Sequence, residues 1–275
     1  NGLIFGGSGA GKSFVIAQLA LQFCGQKPKP KIVWIDNGAS SEKLIEVMDG
    51  EFIDLHLDSG IRLNMFDLEE GESKPTPSKV KLILGCLELI LKDEDKPGLP
   101  KREKALLEEA IFTTYTRTND VPTLSVLKGI LREHSVETMR KYADILFSWT
   151  GETAYGRMLD GTTNVKLAKD LVTIEVKGLD NHRELKDIFL LLLTSYIKEE
   201  AARDLAKPYL LIIDEAHRLF MTPSGKDFAI ESYRVFRKYN AGILCISQNY
   251  RDFLKDRDLS DALMPNTTSE IGRAH

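Results

Sequence analysis

The sequence predicts an α/β protein, a mainly parallel β-sheet flanked by helices and interrupted by an inserted all-helical subdomain. Three observations carry this. Short apolar runs without alternation, such as Lys31-Ile-Val-Trp-Ile-Asp36 and Tyr209-Leu-Leu-Ile-Ile213, have the form of parallel strands covered on both faces. A glycine-rich turn ending in lysine and serine directly follows the first such run. Between the early and late runs, the pattern changes to the three-to-four residue spacing of helices.

Composition narrows the class. A chain of 275 residues suggests about two domains at roughly 150 residues each, although one elaborated α/β unit also fits. With 43% hydrophobic and 28% charged residues, disorder, collagen and a coiled-coil rod are excluded. The net charge of −4 argues against a broad basic surface for nucleic acid, though not against a local positive loop in an oligomer. Cys24, Cys86 and Cys245 lie far apart without a Cys-x-x-Cys pair, so neither zinc nor a disulfide framework is indicated and a reducing cytosol is the natural setting. The longest apolar stretch, around Ile188 to Ile197, falls short of the ~18 residues that suggest a membrane span.

The chain opens at Asn1 without methionine or a signal-peptide pattern and reads as part of a longer protein. Gly2 to Phe5 form the first strand. Gly6-Gly7-Ser8-Gly9-Ala10-Gly11-Lys12-Ser13 then satisfies G-x-x-x-x-G-K-[ST], between strand and helix as the mechanism requires. Glycines let successive N–H groups converge on an anion, and the following helix adds its positive end. Lys12 is expected to reach the β- and γ-phosphates of ATP and Ser13 to bind Mg2+. These eight residues, with Phe14 opening the helix, form the candidate nucleotide-binding set. From Phe14 to Phe23 the helix is apolar on nearly every face, which predicts burial against a sheet.

Lys31 to Asp36 form the next strand, ended by an Asn37-Gly38 turn signal. Asp36 either touches the water network around magnesium or only caps that turn. Phe52 to Leu57 and Ile61 to Phe66 are expected as further short strands. Two prolines and polar residues between Gly71 and Pro77 mark an exit from the sheet, and helical spacing then runs to about Thr163. The organisation is therefore read as a discontinuous nucleotide-binding domain, residues 1–70 and 164–270, interrupted by a helical subdomain at 71–163. Residues 271–275 follow no periodic pattern and are read as an added tail. Strand pattern returns at Leu171 to Val176, and Glu184 to Glu200 read as a long helix.

Tyr209 to Glu215 is an apolar run ending in two acids, at the strand end where doubly wound sheets bind ligands. Asp214 is assigned to the magnesium shell and Glu215 to the attacking water. The alternative is a solvated turn or a helix cap. Gly242 to Ser247 form a third strand ending in Gln248, whose amide can bond both the γ-phosphate and the attacking water. Arg234, Arg237 and Lys238 cluster on an apparent helix, either as a solvated face or as cations acting on phosphates within the chain or across a subunit interface. The five histidines show no metal-ligand spacing.

Several motifs now stand in order: Gly6 to Ser13, Asp36-Asn37-Gly38, Leu63-Asn64-Met65-Phe66-Asp67, Tyr155 to Gly161, Glu175 to Leu179, Asp214-Glu215-Ala216-His217, Arg237-Lys238-Tyr239 and Ser247-Gln248. Together they resemble the ATPase domain of the VirB/TraC-type conjugative traffic ATPases, in the HerA/FtsK group of RecA-like P-loop motors. Met65 stands where many relatives have proline, with Asn64 and Phe66 kept. The resemblance implies a RecA-like fold using ATP and Mg2+ at the cytoplasmic face of a bacterial inner membrane, at the base of a type IV secretion system. It implies self-association into a hexamer or other nucleotide-linked oligomer, with partners among inner-membrane channel proteins, other secretion ATPases, and DNA or protein cargo. Arg237 is then the preferred cation for phosphate or intersubunit contact. A DNA translocase and a nucleotide-dependent assembly module stand as alternative readings.

Overall fold

Seven parallel strands form one sheet among the described residues: β1 (Gly2–Phe5), β2 (Lys31–Asp36), β3 (Glu51–Asp54), β4 (Leu171–Glu175), β5 (Tyr209–Ile213), β6 (Ala241–Ser247) and β7 (Ser269–Gly272). The computed structural model describes the chain except residues 8, 39, 69–70, 94–95, 97, 119, 221–222, 255 and 273–275. The strand order is β3-β4-β2-β5-β6-β1-β7. The helices are α1 (Lys12–Cys24), α2 (Glu42–Val47), α3 (Pro77–Leu91), α4 (Lys101–Arg117), α5 (Leu124–Arg132), α6 (Glu137–Ile145), α7 (Gly156–Leu159), α8 (Arg183–Arg203), α9 (His217–Phe220), α10 (Pro223–Val235), α11 (Arg251–Leu254) and α12 (Arg257–Leu263). No described helix is long and apolar enough to cross a membrane.

The chain divides into two compact units. One comprises Asn1–His56, Lys166–Asn181 and Leu193–His275; the other comprises Leu57–Val165 and His182–Leu192. The first contains the sheet. All of β2, β4 and β5 is buried, which explains why these strands are apolar on both faces rather than alternating. On one face, Ile4, Ile32, Trp34, Leu171, Ile212 and Ile246 pack with Ile16 and Ala20 of α1 and Ile45 of α2.

The second unit is built mainly of helices. Thr76 and Thr123 cap α3 and α5, accepting from the backbone N–H groups of Lys79 and Val126. Asp160 reaches the start of α5, accepting from Ser125 N at 2.9 Å and from the Ser125 hydroxyl, and also from Gly151 N at 2.7 Å. Asn64 is buried, donates to Pro122 O and Asp67 Oδ1, and accepts from Phe66 N.

Two expectations need correction. Ile61 to Phe66 do not form a strand: their backbone groups pair instead with a stretch distant in sequence, Arg62 N donating to Asn164 Oδ1, Leu63 N to Met158 O and Asn64 N to Thr163 Oγ1. Ile271 and Gly272, read as tail, pair with Ile4 and Phe5 in β7; the rest of that tail lies outside the described residues. Helix α1 packs Ile16 and Ala20 against the sheet, as its apolar pattern predicts, and leaves Phe14 71% and Leu21 39% exposed on its outer face.

Candidate nucleotide site

The first unit builds the site at the C-terminal ends of β1, β6 and β5. Strand β6 lies between the other two, with Phe5 level with Ser247 and Ile213 level with Cys245. The loop after β1, the acids after β5 and the amide after β6 therefore emerge along one sheet edge. Ligand crevices of open parallel sheets form at such strand ends.

After β1 the backbone turns through Gly9 at φ 76° and Gly11 at φ 82°, left-handed conformations that side chains disfavour. Gly11 is the N-cap of α1. A Cβ at Gly7, Gly9 or Gly11 would meet no atom within 4 Å, so those glycines border open space. Lys12 folds back over the loop and donates to Gly6 O at 2.6 Å and Gly7 O at 3.2 Å. Ser13 is exposed on the first helical turn beside Phe14. Ala10 N donates to Gly7 O at 3.2 Å. Ser8 lies outside the described residues.

Asp214 directly follows β5, and its N–H donates to Ile35 O at 2.9 Å. Burial is the main force on its carboxyl group, pushing its pKa up to about 6; the Glu215 N–H opposes this, the negative charges of Asp36 and Glu215 add to it, and Lys12 lowers it. Glu215 has φ 50°, uncommon for a residue with a side chain. Its Oε1 accepts from Gln248 Nε2 at 2.9 Å. Its Oε2 lies 3.2 Å from His217 Nδ1, off the line of a hydrogen bond, so Nδ1 is buried without one.

The loop after β2 is fixed by acids of its own. Asp36 is buried and, among the described residues, accepts bonds at 2.8–2.9 Å from Asn37 N, Ser40 Oγ, Ser41 N and Ser41 Oγ. It caps the turn, the second of its two expected roles. Glu175, at the end of β4, accepts from Gly38 N and from Lys177 N.

Lys12, Asp214, Glu215 and Gln248 thus share one edge. Arg237 does not. It is exposed in a short 3-10 turn, Phe236–Tyr239, just before β6, and the seven-residue strand places it roughly 20 Å from that strand's far end. This corrects the expectation of a phosphate contact within the chain; Lys238 shares that turn, and Arg234 lies on α10 before it. Sequence reasoning named His217 within the Asp214 to His217 motif but gave it no role beside Glu215, and it did not single out Tyr250, whose ring lies 4.8 Å from that of Phe5. The first depends on the backbone turn at Glu215, which no residue pattern signals.

Comparison with solved structures places the chain beside VirB4 of Thermoanaerobacter pseudethanolicus, with a TM-score of 0.84 and 25% identity over 100% of this chain and 77% of that one. The bacterial conjugative coupling protein TrwBdeltaN70, in an unbound form, superposes with a TM-score of 0.61 at 12% identity, over 98% of this chain and 67% of that one. Plasmid coupling protein TrwB in complex with ADP and Mg2+ gives 0.59 at 13% identity, over 98% and 69%. Likeness at these lower identities shows a shared fold. Comparison with curated protein sequences finds no match. The TraG P-loop domain model matches residues 1–272, and the chain belongs to that family.

Proposed function

We propose that this domain hydrolyses ATP with magnesium and acts as a motor of a type IV secretion, or conjugation, system. The observation that carries the reading is the convergence of the Gly6–Ser13 loop, the Asp214-Glu215 pair and Gln248 at one edge of the sheet. Family membership and the likeness to VirB4 and TrwB supply the cellular setting.

The residues suit the chemistry. Loop N–H groups and the start of α1 cradle phosphate oxygens, and Lys12 exchanges its own loop carbonyls for the β- and γ-phosphates. Ser13 and Asp214 hold the magnesium ion, which, when bound, neutralises charge on those phosphates. Glu215 orients the attacking water and takes its proton, while Gln248 reaches both Glu215 and the γ-phosphate. Arg237, on the far edge of the sheet, serves a neighbouring subunit in a nucleotide-linked oligomer rather than its own loop.

The test is ATP turnover with magnesium in the wild type, Lys12→Ala and Glu215→Gln. Loss of turnover in both, with nucleotide binding kept in Glu215→Gln, supports the reading. Undiminished turnover in either variant overturns it.

A further inference from the structure

We infer that His217 is a positioning residue for the Glu215 carboxylate, holding one of its oxygens while Gln248 exchanges the other for nucleotide. The inference rests on the ATPase reading above.

The two neighbours of Glu215 approach different oxygens: Gln248 bonds Oε1, whereas His217 stands 3.2 Å from Oε2. They also differ in how firmly they are held. Gln248 is exposed on the loop leaving β6, where it can turn towards a phosphate. His217 sits in a pinned segment. Next to it, Ala216 is fully buried, and its N–H donates to Ile246 O at 2.8 Å. On the other side, Arg218 N donates to Glu215 O at 3.0 Å, and the Arg218 guanidinium pairs with Asp180 at 3.6 Å. Phe220 N closes the turn on Ala216 O.

The left-handed turn at Glu215 brings these two side chains together, since residues two apart in an extended strand share a face but residues two apart on a helix do not. His217 Nδ1 is buried without a hydrogen bond, a state that costs stability unless a partner is gained. Glu215 Oε2 is the acceptor 3.2 Å away, and a small rotation of the ring brings Nδ1–H onto line. With Nδ1 protonated, the imidazole restrains the carboxylate in rotation at the moment Gln248 leaves it. A general base must stand within hydrogen-bond reach of the proton it takes, and misplacement by about 1 Å costs on the order of a hundredfold in rate.

Asn and Gln separate this role from simple packing. The Asn amide nitrogen occupies nearly the position of Nδ1, whereas the Gln amide nitrogen matches Nε2. In magnesium-dependent ATP turnover, His217→Ala should lower kcat roughly ten- to a hundredfold with KM for ATP within about twofold. His217→Asn should restore most of kcat, and His217→Gln should resemble alanine. Thermal melting and binding of a fluorescent ATP analogue show that each variant is folded. Should His217→Ala fail to fold, the Asn and Gln variants still carry the comparison. Wild-type kcat in His217→Ala, equal loss in Asn and Gln, or a rise in KM matching the fall in kcat would overturn the inference. The ATPase reading fails separately, through Lys12→Ala and Glu215→Gln.

Discussion

Gln248 Nε2 donates to Glu215 Oε1 across 2.9 Å, joining the end of β6 to the acid just beyond β5. An amide in this place reports on the carboxylate without competing with it for a proton. Replacing it with Gln248→Glu removes the donor and sets a second negative charge against Glu215, which disfavours the ionised base. Turnover in Gln248→Glu should therefore fall below that of Gln248→Ala, each measured as steady-state phosphate release at saturating ATP. If the two variants turn over equally, the contact has no electrostatic role in the base.

Gly11 offers a test of the loop that is independent of catalysis. Its φ of 82° lies where L-residues are strained, and the space around it is open, so alanine there meets a conformational cost and no clash. Gly11→Ala should lower stability by about 1 kcal/mol and weaken nucleotide binding as the N–H cradle relaxes away from its shape. Chemical denaturation and nucleotide titration check the two effects. Unchanged stability would mean the turn adapts to a side chain without strain.

Asp36 is expected to matter for the loop rather than for metal. Its oxygens already accept bonds from Asn37, Ser40 and Ser41. Asp36→Asn turns one acceptor into a donor facing other donors, and should cost roughly 3 kcal/mol. The loss should be the same with and without magnesium. A stability loss seen only with magnesium and nucleotide would instead give Asp36 a place in the metal shell.

The strands were legible wherever they were buried on both faces. Lys31 to Asp36 and Tyr209 to Ile213 are unbroken apolar runs because helices or strands cover every side of them. Strand β7 was not legible, since an edge strand of four residues with one large apolar side chain has no pattern to read. Strand order was hidden too. Parallel neighbours are joined by crossovers, and nothing local in β6 shows that it enters between β1 and β5. At the site, the residues bearing charge were found from motif spacing, but the motif left Arg237 open between a phosphate and an intersubunit contact, and the strand puts it at the end away from this chain's own loop. Several residues that carry the family resemblance turn out to be structural. Asn64 and Asp160 saturate backbone groups within the helical unit, and a Cβ at Gly178 would come within 2.5 Å of Leu55 O.

Asp214 gives a stability that depends on pH in a direction opposite to that of most carboxylates. Burial raises its folded pKa to about 6, from 3.8 for an ordinary aspartate carboxyl group. Between these values the folded chain binds a proton that the unfolded chain has lost, so this group makes stability fall as pH rises from about 4 to about 6. Above that window the folded state carries the full penalty of a buried charge, on the order of 3 kcal/mol; below it the penalty vanishes. Asp214→Asn keeps an oxygen to accept the Glu215 N–H, now 2.9 Å from Asp214 Oδ1, but carries no charge to bury. Without nucleotide, the variant should melt above the wild type at pH 8, with the gap closing by about pH 4. With ATP and magnesium the order should reverse, because only the carboxylate gains a cation that offsets its burial. A variant less stable than wild type at pH 8 without nucleotide, or a gap independent of pH, would show that the Asp214 charge is compensated within the protein before any metal arrives.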